Sequence, residues 1–495
     1  MNRRMRAAGA LLALTLAGAM AGPMAACAQG LSDCRVAGVR NSVQCGAVTR
    51  PLDPARPDGP TIDVHYVVVP AMARRKLPDP VFLLAGGPGQ SAIGLAAQAI
   101  ALFSRLNNRR DIVLVDQRGT GRSAPLQCQD VRRETLAEQS EPDRQFQLLM
   151  QCKAELLKLP AIRNESDLGL FTTTIAMQDL EAVRARLGAE RINLVGISYG
   201  TRAGLDYMRQ FPSRVRRSVF DAVAPPDMVL PASFSADSQA ALDALLSACE
   251  QQAACRAAYP RLRADWAALL ASLPTPATAA QPLSGTPEHF LLTRDMVLGA
   301  VRSALYTPAT AAALPAAITD AAAGRYDALV GVGALLASRK GIQLAMGMHF
   351  SVVCAEDAPR LDRATDAPGA DFGAGFAQLY RRVCAQWPRG AVPAAFYDVP
   401  TSRTPTLLFS GGIDPATPPR HGERIAKALG PAAQHVVVPY AGHGVLAIGC
   451  ARDLLYRFID TADDAAATAI DAGCVKRVPR PGVFIPISAA AAPEQ

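Results

Sequence analysis

Short apolar runs rich in β-branched residues recur along this chain between Gly, Pro and Asp: Val64–Val69, Val81–Leu84, Ile112–Val115 and Ile192–Val195. Runs of this length read as strands, several of them continuous enough to be buried on both faces. Between the last two, Ala176, Leu180, Val183 and Leu187 recur at helical spacing, with Thr174 placed to cap and Gly188 to stop the helix. Strands alternating with helices predict a mostly parallel α/β sheet. A further strand pattern covers Ser218–Val223, after which Ala224-Pro225-Pro226 marks a change of character. From there to about Pro400 the chain is Ala/Leu-rich and helical in pattern, with proline interruptions around Pro274 to Pro287. Strand patterns return at Thr406–Ser410 and His435–Val438. The expected architecture is an α/β core (29–223 and 401–480) split by a helical cap (224–400), with a tail from 481 to 495 whose Ala-rich part after Ile487 is expected to be disordered, and no internal repeat.

The first 28 residues follow a different logic. Arg3, Arg4 and Arg6 precede an apolar stretch from Ala7 to about Met20 and a small-residue site at Ala26-Cys27-Ala28. This is the layout of a cleaved signal peptide, and the stretch is shorter than the roughly 20 residues of a membrane span. Met24-Ala25-Ala26-Cys27 also loosely resembles a lipobox, which leaves lipidation of Cys27 as an alternative route. Either route leaves an even set of cysteines, as expected of disulfides in an exported protein: Cys34, Cys45, Cys128, Cys152, Cys249, Cys255, Cys354, Cys384, Cys450 and Cys474. Sequence neighbours group naturally, although spacing alone does not fix connectivity.

Charge narrows the function. The formal +8 includes three leader arginines, and the remaining basic residues are scattered among acids rather than clustered with aromatics, which argues against nucleic acid. No C-x-x-C or H-E-x-x-H spacing supports a metal, so neither metal nor cofactor is expected.

Chemistry is instead suggested by Gly196-Ile197-Ser198-Tyr199-Gly200, which follows a strand and opens a helix. That order suits a nucleophile elbow, whose glycines permit the strained turn that exposes a serine hydroxyl. Serine is a poor nucleophile at neutral pH, so Ser198 requires a base, an acid to orient it and donors for an oxyanion. Among six histidines, His443 alone lies in a Gly-flanked loop directly after a strand, Tyr440-Ala441-Gly442-His443-Gly444. Asp414, in Ser410-Gly411-Gly412-Ile413-Asp414-Pro415, is the preferred orienting acid, with Asp221 as its competitor. Gly86-Gly87-Pro88-Gly89 follows a strand and suits an oxyanion loop, with the Gly87 and Tyr199 N–H groups as donors. Gly119-Thr120-Gly121-Arg122-Ser123-Ala124 mimics a dinucleotide-binding turn, but Pro125 follows where a helix should begin.

Taken in order, Gly86-Gly87-Pro88-Gly89, then Asp116-Gln117-Arg118-Gly119-Thr120-Gly121-Arg122-Ser123, then Gly196-Ile197-Ser198-Tyr199-Gly200-Thr201, the chain resembles the prolyl aminopeptidase and tripeptidyl-aminopeptidase group of α/β-hydrolases over about residues 60 to 460. The long insertion and the Asp414 to His443 region are similar to the tripeptidyl branch. Ala85 stands where prolyl aminopeptidases usually have His. The resemblance implies a serine exopeptidase whose partner is a peptide with a free N-terminus. Such an enzyme needs a carboxylate for the substrate's ammonium group, and the resemblance looks for it in the cap. Cys354-Ala355-Glu356-Asp357 is the local candidate, Glu356 first and Asp357 second. A carboxylesterase using the same machinery and a non-catalytic envelope binding protein on the same fold are the competing readings.

Overall fold

The structure is a computed structural model that describes residues 30–129, 134–337 and 343–485. The expected leader, Cys27 and the end of the tail lie outside these residues. Its centre is a nine-stranded sheet in the order β1-β2-β3-β5-β4-β6-β7-β10-β11. The strands are β1 (Ser32–Cys34), β2 (Val43–Pro51), β3 (Thr61–Val69), β4 (Val81–Leu84), β5 (Ile112–Val115), β6 (Ile192–Ile197), β7 (Val215–Asp221), β10 (Thr406–Gly411) and β11 (Ala433–Val438). From β5 to β11 every pairing is parallel, while β1, β2 and β3 form an antiparallel flank that joins at β5. The parallel strands are covered on both faces, which is why they read as unbroken apolar runs. Every residue of β4, β5 and β10 is buried.

The helices that matter for the site are α1 (Thr173–Arg186), α2 (Tyr199–Gln210), α3 (Ala232–Gln251), α4 (Arg294–Leu305), α5 (Met346–Glu356), α6 (Pro419–Leu429) and α7 (Ala451–Asp460). Thr174, expected as a cap, lies inside the first turn of α1, and Thr172 holds the capping position. Two apolar clusters sandwich the sheet, one including Phe82, Leu84, Leu194 and Leu408 and the other Leu83, Val195, Phe409 and Phe458.

The inserted segment builds a third cluster of its own, from Leu242 on α3 through Val297 and Val301 on α4 to Leu329. It is not wholly helical. β8 (Thr275–Ala280) and β9 (Pro287–Leu292) pair as an antiparallel hairpin across the proline-interrupted stretch. Prolines sit at the ends of this hairpin or on an exposed edge position, where their missing N–H costs no ladder bond. The last part of the insertion behaves differently again: Met348, Phe350, Val352 and Cys354 of α5 pack into the sheet-side cluster.

Five disulfides join nearest sequence neighbours: Cys34–Cys45, Cys128–Cys152, Cys249–Cys255, Cys354–Cys384 and Cys450–Cys474. Among the described residues no helix is long and apolar enough to cross a membrane.

Candidate active site

Parallel strands deliver their loops to one edge of the sheet, and the residues expected to act together follow the ends of neighbouring strands. Ser198 stands one residue past β6 with φ 56° and ψ −124°, a conformation disfavoured for an L-residue. Its flanking glycines are steric necessities. A Cβ on Gly196 would meet the Gly200 carbonyl oxygen at 2.5 Å, and one on Gly200 would meet the Leu84 carbonyl oxygen at 2.1 Å. The Ser198 N–H donates to the Asp221 carbonyl at 2.9 Å, which ties the elbow to the end of β7.

β10 and β11 present the other two groups. His443 Nδ1 lies 3.0 and 2.9 Å from the two carboxylate oxygens of Asp414. Asp414 also accepts from the N–H groups of Ala416 and Thr417, at 2.8 and 2.9 Å, and from the Thr417 hydroxyl at 2.8 Å. Burial opposes ionisation of Asp414, but the His443 charge, the His443 hydrogen bond and these backbone donors outweigh it and hold its carboxyl below the ordinary value. Burial likewise opposes charge on His443, yet Asp414, with a smaller contribution from Asp221, raises the imidazole above its ordinary value. With Nδ1 facing the carboxylate, Nε2 is left as the proton acceptor. Among the described residues Ser198 Oγ makes no hydrogen bond, a looseness common in free serine hydrolases whose bonds tighten around substrate.

Asp221, the competing acid, performs a different task. Its carboxylate accepts the Val445 N–H at 3.0 and 2.8 Å and the Leu446 N–H at 3.0 Å, just beyond His443. Burial pushes its carboxyl up to about 6. One residue therefore anchors the elbow through its carbonyl and the histidine loop through its side chain. Tyr306, at the end of α4, closes the loop from the cap side. Its carbonyl accepts the His443 N–H at 2.8 Å, and its ring stands edge-on to the imidazole at 4.9 Å.

The Gly86-Gly87 turn abuts the serine, since a Cβ on Gly86 would lie 3.3 Å from Ser198 Cβ. Gly87 adopts φ 112°, open to glycine, and Gly89 packs so tightly that a Cβ would meet the Ala345 carbonyl oxygen at 2.7 Å. Beneath the turn, His349 Nδ1 is 3.2 Å from the Pro88 carbonyl and Nε2 is 2.7 Å from the Tyr380 hydroxyl. Burial lowers His349 to about 4, so it is neutral, with Nδ1–H donating to Pro88 and Nε2 accepting from Tyr380.

The two cap acids require a correction. They were expected to offer a carboxylate to the substrate's ammonium group, but Glu356 ends helix α5 and Asp357 caps it, and both are buried. Glu356 accepts the Thr173 N–H at 2.8 Å and the Thr173 hydroxyl at 3.0 Å, and that hydroxyl is 2.7 Å from the Tyr199 hydroxyl. Asp357 binds Arg202 of α2 at 3.0 to 3.2 Å and the Leu230 N–H at 3.0 Å. Helix α5 begins against the oxyanion turn, and ten residues of helical rise carry its end about 15 Å away, so these acids lie behind Tyr199. They lock α5 to the nucleophile helix and leave no carboxylate surface for an incoming ammonium group. Burial, reinforced by Asp357, pushes Glu356 up to about 8.

The second glycine motif is also structural. Arg118 is buried, with a two-pronged contact to Asp179 at 2.7 and 3.0 Å and bonds to the Pro51, Leu52 and Leu170 carbonyls. Asp116 sits where a Cβ on Gly121 would be, 1.9 Å from its Oδ2. Among the described residues no group of His, Cys, Asp and Glu could hold a metal ion. The cap also holds a cavity of about 820 Å³ lined by Met296, Ala300, Leu283, Leu335 and Phe484, and none of Ser198, Asp414 or His443 borders it.

Sequence reasoning missed Thr417, Tyr306 and His349. Only Thr417 leaves a local signal, the Asp-x-x-Thr spacing in which a carboxylate captures the N–H and hydroxyl of its own turn.

Comparison with known proteins agrees with this architecture. Residues 79–309 match the family model described as alpha/beta hydrolase fold, and residues 370–469 match that described as TAP-like protein. A tripeptidyl aminopeptidase from Streptomyces lividans is 32% identical over 192 residues, 37% of this chain and 36% of the relative. The matched stretch thus spans about a third of that protein's length. The serine protease Hip1 of Mycobacterium tuberculosis is 25% identical over 421 residues, 78% of this chain and 79% of the relative. A probable proline iminopeptidase from Streptomyces coelicolor is 32% identical over 29% of this chain and 33% of its own. The two family models fall on the two parts of one sheet, β4 to β7 and β10 to β11, and with the elbow after β6 they show an α/β-hydrolase fold whose relatives carry peptidase names.

Proposed function

We propose that the protein is an exported serine hydrolase, an aminopeptidase that releases short N-terminal pieces from peptides through an acyl-enzyme. The observation that supports this most strongly is the two-pronged Asp414–His443 contact next to a serine held at positive φ. Ser198 attacks the peptide carbonyl while His443 Nε2 takes its proton, and Asp414 stabilises the imidazolium that results. The Gly87 and Tyr199 N–H groups receive the oxyanion. His443 then gives its proton to the departing amine, and water, activated by the same imidazole, releases the N-terminal fragment. The disulfides favour an oxidising compartment, which supports export.

The deciding experiment compares free and N-acetylated peptides beside simple acyl esters, with a Ser198→Ala control and fluorophosphonate labelling. Cleavage of free peptides and labelling at Ser198 are expected. Equal cleavage of blocked and free peptides would remove the aminopeptidase claim, ester-only turnover would favour an esterase, and absent labelling of folded protein would point to a binding protein.

A further inference from the structure

Arg302 lies in the last turn of α4, in the cap, and its surroundings are unusual for a partly buried cation. Its guanidinium carbon is 4.4 Å from the ring centre of Phe234, 5.2 Å from Tyr306 and 5.8 Å from Phe376. One nitrogen, Nη2, donates to the Tyr306 hydroxyl at 3.0 Å. Nε is buried with no partner, and among the described residues the side chain pairs with no carboxylate. Buried charge normally finds a counter-charge. The fully buried arginines conform: Arg118 has Asp179, Arg202 has Asp357 and Arg217 has Asp464.

The position explains what the missing partner is for. On one side Tyr306 joins Arg302 to the base, through the carbonyl that accepts the His443 N–H and the ring packed against the imidazole. On the other, the charge of Arg302 is felt by Tyr380, whose hydroxyl meets His349 beneath the Pro88 carbonyl of the oxyanion turn. The cation therefore lies on the inserted segment, between the Tyr306 contact with the base and the Tyr380–His349 contact under the oxyanion turn. Its aromatic box fixes the guanidinium plane, and with Nη2 on Tyr306 the Nε donor has no acceptor among the described residues, an arrangement suited to a flat, two-oxygen ligand.

We propose that Arg302 binds a carboxylate of the peptide substrate beside the scissile bond, so that the enzyme prefers peptides presenting such a group to their neutral analogues. This rests on the hydrolase reading above. Two sources share that chemistry, the peptide's C-terminus when the peptide is short and an Asp or Glu side chain near the cleaved bond. A charge-assisted, bidentate contact of this kind gives roughly ten- to hundredfold in affinity.

The test measures binding to Ser198→Ala protein by calorimetry, so that turnover is not required. The probes are tri-alanine against its C-terminal amide, and Ala-Glu-Ala-amide against Ala-Gln-Ala-amide. At least one acid is expected to bind about ten- to hundredfold more tightly than its neutral partner. The Ser198→Ala/Arg302→Met protein should lose that ratio, and an Arg302→Lys counterpart should keep part of it. Equal affinities in the Ser198→Ala protein, or a ratio undiminished by Arg302→Met, would overturn the proposal. In otherwise wild-type protein, Arg302→Met also removes a positive charge that acts on His443 alongside the negative charges of Asp414 and Asp221. The acid limb of kcat/KM should then move to higher pH, which loss of packing alone would not produce. Loss of fluorophosphonate labelling with carboxylate preference intact would strike the hydrolase reading and leave this one standing.

Discussion

Asp221→Asn separates what a buried carboxylate does for activity from what it does for stability. The carboxylate accepts two backbone N–H groups, from Val445 and Leu446. Asparagine with its oxygen in the Oδ2 position keeps one contact to each donor, but it turns its NH2 toward the Val445 N–H where Oδ1 stood at 3.0 Å, at a cost of about 1–3 kcal/mol. Against this stands the penalty on the charge itself. A carboxyl raised by burial from 3.8 to about 6 is ionised in the folded protein at a cost of about 3 kcal/mol. The folded state holds the proton longer than the unfolded chain, so stability falls as pH rises from about 4 through about 6 and stays low above it. At pH 8 the substitution therefore removes about as much penalty as it creates, and thermal unfolding should shift by no more than a few degrees.

Activity should not be spared. The same two bonds hold the loop that carries His443, and loss of about 1.5–3 kcal/mol of charge-assisted anchoring predicts roughly ten- to hundredfold lower kcat/KM. The negative charge of Asp221 also favours imidazolium at His443, so its removal lowers the pH at which the base becomes available. The assays are a pH profile of kcat/KM and a melting curve at pH 8. Wild-type kcat/KM with an unshifted acid limb, in protein that melts normally, would refute the assignment of Asp221 as the residue that positions the base.

Other outcomes follow from the same geometry. Asp414→Asn leaves the His443 tautomer wrong for accepting the serine proton and should lower kcat by roughly 10³–10⁴, against little change in binding to a Ser198→Ala background; a loss below tenfold would move the orienting role elsewhere. Combining Asp221→Asn with Arg302→Met, whose effects on His443 have opposite signs, should return the acid limb of kcat/KM toward wild type, and a double variant that shifts further than either single one would show that the charges do not act through the imidazole. Glu356 keeps its proton to about pH 8 in the folded protein and loses it near 4.5 when unfolded, so wild-type stability falls as pH rises through that window; Glu356→Gln should flatten the melting temperature against pH and be the more stable form at pH 9, and parallel curves would contradict the raised value. Replacing Cys354 and Cys384 by Ala opens a link spanning 30 positions between α5 and the segment that ends near Trp387; about 3–4 kcal/mol of stability should be lost in denaturant titrations, with any smaller change indicating that Arg202 already holds α5 in place.

How much of this was legible in the chain depends on how far apart the interacting residues are. β4, β5, β6 and β10 stood out because strands buried on both faces must be continuously apolar. The elbow, the Asp414 turn and the His443 loop stood out because strained or exposed loops at strand ends need glycine. β2 was missed for the converse reason: with Gly46, Thr49 and Arg50 in a half-exposed strand, its pattern is mostly polar and its pairing to β3 supplies the order. The β8–β9 hairpin hid in a Thr, Ala and Pro stretch whose inward positions are only Ala277, Ala279, Phe290 and Leu292. The electrostatics were hidden most completely. Asp357 looks like a solvated acid until Arg202, 155 positions away, pairs with it, and Glu356 until burial and Thr173 enclose it, whereas Arg302 looks like an ordinary surface cation although among the described residues no carboxylate pairs with it. Local sequence encodes which groups can do chemistry, because turns and strand ends are local. Which charges surround those groups is encoded in the packing of segments hundreds of residues apart. That is why Ser198, Asp414 and His443 could be proposed from their neighbours, while the proposed role of Arg302 in substrate choice depends on rings that Phe234, Tyr306 and Phe376 bring from separate segments.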